Sequence, residues 1–206
     1  MSARWKVAGS IVVASVVLVA VGTALFFNGY GPLALADRRG RVNAGEAKGR
    51  IDNALRTTMG AISPSLTYAG ADFEVERERD RWDGEPSMVS DVTEIVTVRT
   101  TISKAKLPAL MDQVTQAWTA LGSRSVDRSD PTDDTGELRG VGQAGGETYL
   151  TFYARAQQDS TYLVTFRAEA GGVLYRPAHE YQPVPPLARA PFGAKFDPLD
   201  DPYWSH

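Results

Sequence analysis

The 206 residues include no cysteine, two histidines and, among 22 basic residues, five lysines. Without cysteine there is no disulfide, no thiolate metal site, no cysteine nucleophile and no residue to carry a lipid anchor. His179 and His206 both lie late in the chain, so the body of the protein can assemble neither a histidine-based triad nor a zinc cluster. A net charge of −3 and an isoelectric point near 5.5 leave no basic field for nucleic acid. Long apolar runs are scarce as well, with one exception.

That exception is Val7 to Phe27, 21 residues without a charge. As a helix it would span roughly 31 Å, the thickness of a bilayer's hydrocarbon core. Residues 1–6, with Arg4 and Lys6, read as a cytoplasmic leader, 7–27 as a transmembrane helix and 28–43 as a glycine-, proline- and arginine-rich linker. Cleavage is the competing reading, because Ala34-Leu35-Ala36 before Asp37 fits the small-x-small pattern of a signal peptide. The length of the apolar run and its distance from that site favour a retained anchor. Arg38, Arg39 and Arg41 nearly balance the leader's charge, so orientation rests on the absence of a second span, which favours a C-terminal part outside the cytoplasm.

The remainder is the size of one domain, 44–175, with a tail, 176–206. Ile51, Leu55 and Met59 recur every four residues, predicting a helix from Ala44 to Ile62 that Pro64 ends. Leu66 to Val75 has strand character, and the EVERERDR run then alternates acids with Arg77, Arg79 and Arg81. It is read as a charged ribbon, either a solvated edge that blocks sheet-to-sheet pairing or a partner surface. Val92 to Ile102 is the cleanest strand, with Val92, Val96, Val98, Thr100 and Ile102 on one face and Ile95 as an apolar exception on the other. Leu107 to Leu121 carries Leu110, Met111, Val114, Ala117 and Trp118 at helical spacing, with Pro108 in the first turn and Gly122 as the stop. Short strands follow at 123–128 and near Leu138, then a hairpin of Thr148 to Arg155 and Thr161 to Ala168, with Leu150, Phe152, Tyr162, Val164 and Phe166 expected in the core.

The expected fold class is therefore α+β, a two-layer domain with two helices on one face of an antiparallel sheet, in the order α-β-β-α-β-β-β-β. Trp118 is expected between the second helix and the sheet. The tail holds 7 of the 12 prolines and reads as extended or disordered, with Phe196, Tyr203 and Trp204 as a recognition segment at its end. Folding back over a Tyr149 and Tyr153 patch is the other fate open to those aromatics, and the proline spacing favours reach.

The motifs with chemical meaning reduce to plainer readings. Gly140 to Gly145 matches GxGxxG in letters, but a strand follows where a dinucleotide site needs a helix, so it reads as a hairpin turn. Asp127, Asp130, Asp133, Asp134 and Glu137 lack the glycine and glutamate positions of a calcium loop and read as a solvated acidic loop. No catalytic residue, cofactor or metal is expected.

Trp118, Leu121 and Gly122 ending a helix, the Asp130-Pro131 loop, and Tyr149 to Phe152 in the closing hairpin form a pattern that resembles small actinobacterial membrane-anchored and lipoprotein-like envelope proteins of unknown function. Many of those carry two cysteines that this chain lacks. The resemblance implies location and fold rather than chemistry.

Together these features predict a membrane-anchored, extracytoplasmic, non-enzymatic interaction module of the cell envelope. It would meet an envelope protein through Arg77, Arg79, Arg81, Tyr149, Tyr153, Tyr203 and Trp204, and would not bind nucleic acid. The alternative is a small-ligand or lipid-binding domain, which needs a roomy apolar pocket, expected between helices and sheet.

Overall fold

The computed structural model describes residues 42–79, 84–123, 127–128, 137–144, 148–157, 159–191 and 194–206. The predicted leader and membrane span and nearly all of the linker lie outside the described residues. Among the described residues no helix is long and apolar enough to cross a membrane. Val42–His206 form one compact unit.

The elements in chain order are helix α1 (Ala44–Ala61), strands β1 (Tyr68–Arg79), β2 (Pro86–Val98) and β3 (Ile102–Ser103), helix α2 (Leu107–Ala120), and strands β4 (Asp127–Arg128), β5 (Glu137–Ala144), β6 (Thr148–Ala156) and β7 (Thr161–Leu174). The strands form one sheet in the order β1-β2-β7-β6-β5-β4, with β3 also paired to β7, and every strand pairing is antiparallel. This is the predicted α+β class with one added short strand. The addition arises because the pattern from Val92 to Ile102 is broken after Val98, and its end pairs separately with β7.

Both helices bury one stripe in a single core with the inward residues of the strands. Ile51, Ala54 and Leu55 of α1 and Leu110, Val114 and Trp118 of α2 meet Val92, Val96, Leu150, Phe152, Val164 and Phe166 there. Asn43 caps α1 by accepting the Gly45 N–H at 2.8 Å. Trp118 is 1% exposed, and its indole N–H donates to the Thr58 hydroxyl at 3.0 Å, tying the two helices together. Val42, read as linker, belongs to the fold, since its N–H donates to Gly172 O and its carbonyl accepts from Leu174.

Two expectations are corrected. Gly140 and Gly142 are not in a turn; they are strand residues of β5, paired with Phe152 and Leu150. Gly142 is bare because a Cβ there would stand 2.7 Å from Cε3 of Trp118, so the glycine makes room for the indole. The segment from Arg176 onward is not a disordered tail. Tyr181, Val184 and Trp204 are buried members of the main core. Tyr181 stacks on Phe73 with ring centroids 5.1 Å apart. The chain then passes beside the edge strand β1, where Ala71 N–H donates to Ala188 O at 3.0 Å and Ala190 N–H to Ala71 O at 2.9 Å. Gly70, at φ +145°, permits this approach, because a Cβ there would stand 2.6 Å from Ala188 O. The edge is thus covered at Ala71 by the protein's own C-terminal segment.

Candidate functional site

Side chains alternate across a strand, so the residues that do not face the helices form a second surface on the sheet. On β2 this surface carries Ile95 and Thr97, on β7 Leu163, Thr165 and Arg167, and on β6 Tyr149, Tyr153 and Arg155. The register sets Ile95 against Arg167 and Thr97 against Thr165, then Thr165 against Tyr153 and Leu163 against Arg155. Ile95, the apolar exception in its strand, is therefore set beside Arg167 by strand order, on the same sheet face as Tyr153 and Leu163.

The C-terminal segment crosses this surface. Arg189 fixes one side of the crossing by an ion pair to Asp72 at 2.7 Å and by donating to the backbone carbonyls of Ala178 and Tyr181. On the other side Arg99 Nε donates to Asp197 O at 2.8 Å, Leu199 N–H to Arg99 O at 2.8 Å, and Thr101 N–H to Leu199 O at 2.9 Å. Between these fixed points Ala190, Pro191, Ala194 and Phe196 form a wall opposite the sheet. The two enclose a cavity of about 550 Å³ with Ile95, Thr97, Tyr153, Leu163 and Thr165 on the strand side and Arg155 and Arg167 also in the lining. Ile95 is 2% exposed although it faces away from the helices.

The cavity's polar groups are hydroxyls and guanidiniums; among the described residues no carboxylate lines it. Arg167 reaches Glu74 of β1 at 2.9 Å. The expected pocket between helices and sheet is corrected in position: this cavity lies on the opposite face of the sheet, because the C-terminal segment supplies its second wall.

The predicted partner residues are scattered. Arg77 donates to Ser87 O and Pro86 O, both at 2.8 Å, and lies 4.4 Å over the Tyr175 ring, while Arg79 donates to Gly84 O at 3.1 Å. These two arginines hold the β1–β2 ribbon to itself. Arg81 lies outside the described residues. Tyr149 is 45% exposed on the outer face, and Tyr153 lines the cavity. Tyr203 is exposed beneath the Lys106 ammonium, 3.8 Å from its ring centroid. Trp204 is fully buried and cannot be a free recognition residue.

Glu94 is the residue that the sequence pattern conceals. It lies on the inward face of β2 with Val92 and Val96, fully buried. Its Oε1 accepts the Val184 N–H at 2.6 Å, and Oε2 lies 3.7 Å from the Lys48 ammonium, which also pairs with Asp52. Burial pushes the Glu94 carboxyl up to about 7, against the opposing pull of the Val184 N–H and Lys48. A single acid on the core face of an otherwise apolar strand was the available signal.

No protein-family model matches the chain, and no curated protein matches it. Among solved structures it is similar to a DUF4853 family protein from Actinomyces odontolyticus ATCC 17982, at 14% identity and a TM-score of 0.40, over 75% of this chain and 80% of that one.

Proposed function

We propose that the protein is a membrane-anchored, extracytoplasmic, non-enzymatic module of the cell envelope that holds a small apolar molecule in the cavity between the outer sheet face and the C-terminal segment. The observation that carries this reading is the cavity itself. Its volume of about 550 Å³ falls within the size of small-molecule sites, and its walls are largely aliphatic and aromatic with a few polar groups among them. The anchor is read from residues 7–27, and the envelope location from that anchor. Docking of a partner protein through the arginine ribbon and tail is less favoured, because Arg77, Arg79 and Trp204 are already engaged within the domain.

The test is photocrosslinking of the full-length protein in its membrane with a long-chain alcohol that carries a diazirine in its chain. Label is expected on peptides containing Ile95, Leu163 or Phe196, and Leu163→Trp, which fills the cavity, is expected to remove it. Absence of label from these peptides, or labelling unchanged in the filled variant, would reject the reading.

A further inference from the structure

The composition of the cavity wall restricts what it would take. Five side chains bring polar groups to it: the hydroxyls of Thr97, Thr165 and Tyr153 and the guanidiniums of Arg155 and Arg167. A ligand with a cationic group would find no counter-charge among the described lining residues, and a wholly uncharged one would leave the exposed guanidinium of Arg155 unused. From the geometry we infer that the ligand is an anionic amphiphile, an apolar body carrying one acid group, with Arg155 as the residue that receives the acid. This rests on the cavity reading above.

Arg155 is favoured over Arg167 by position. Along β6 and β7 the two arginines occupy rows four residues apart, about 13 Å at the rise of a strand, so they stand toward opposite ends of the cavity. Arg167, half-buried beside Ile95, shares its charge with Glu74 at 2.9 Å. Arg155 is exposed, paired by register with Leu163 on β7 and Glu137 on β5, and two residues from Tyr153 on the same face. An acid placed at this end stays in contact with water. The apolar body then extends past Leu163 toward Ile95 and Phe196. The planar fork of arginine suits a carboxylate or phosphate by paired N–H donors.

The experiment uses three photoactivatable probes of equal chain length, a fatty acid, the matching alcohol and the matching amine, with full-length protein in its membrane. The acid is expected to label the cavity peptides about tenfold more than the alcohol, the effect of one charge-assisted hydrogen bond, and the amine least. Arg155→Gln is expected to bring the acid down to the level of the alcohol while alcohol labelling persists, and Arg155→Lys to restore part of the preference. A single-chain phosphate monoester probe distinguishes a phosphate from a carboxylate source, and preference for either over the alcohol supports the inference. Equal labelling by acid, alcohol and amine would overturn the anionic ligand and leave the cavity reading standing. No labelling of the cavity by any probe would overturn both.

Discussion

The indole N–H of Trp204 donates to the backbone carbonyl of Pro64 at 2.8 Å, joining the end of the chain to the turn after the first helix. The indole is fully buried, and the neighbouring Ser205 hydroxyl donates to Thr101 O at 2.8 Å. A segment spaced by prolines thereby ends in a core residue.

This contact makes the end of the segment read as an extended or disordered tail a contributor to stability. Trp204→Ala is expected to cost about 3–5 kcal/mol, the usual loss for a buried tryptophan. At about 2–4 °C per kcal/mol for a domain of this size, the melting temperature falls by about 6–20 °C. Calorimetry of the variant, and of a chain ending at residue 189, checks this; a melting point within about 2 °C of wild type would show the tail to be a passive appendage.

Glu94 predicts a pH dependence. Its folded-state carboxyl titrates near 7, above its ordinary value of 4.5, because burial disfavours the charge. The folded state therefore holds the proton more tightly than the unfolded state. This contribution to stability is fully present below about 4.5 and is lost as pH rises through about 7. The whole swing is on the order of 3 kcal/mol. Glu94→Gln keeps an acceptor for the Val184 N–H and removes the titration. Urea unfolding between pH 5 and 8 is expected to show wild type losing stability relative to the variant as pH rises, and parallel profiles would refute this origin.

Gly142 and Trp118 predict a pair of opposite glycine substitutions. In Gly142→Ala the new methyl meets the indole at 2.7 Å and displaces it from its bond to Thr58, an overpacking cost of about 1–3 kcal/mol. Gly49→Ala, on the exposed side of α1 with nothing within 4 Å, is expected to stabilise by about 1 kcal/mol through helix propensity alone. Thermal melts together with tryptophan fluorescence read both effects, and Gly142→Ala melting at or above wild type would remove the proposed role of the glycine.

Local pattern alone determined the two helices, the closing hairpin and the inward choice of Leu150, Phe152, Tyr162, Val164 and Phe166, all buried as their alternation predicts. Periodicity is visible in sequence because each element presents one face to one neighbour. The C-terminal segment has no such period. Its Tyr181, Val184, Phe196 and Trp204 each enter a different environment, against Phe73, Glu94, the outer cavity and Pro64. The burial of Ile95, the space for Trp118 over Gly142 and the cavity itself depend on residues far apart in the chain. Strand order and the return of the C-terminus over the sheet bring those residues together, and only the tertiary structure decides both.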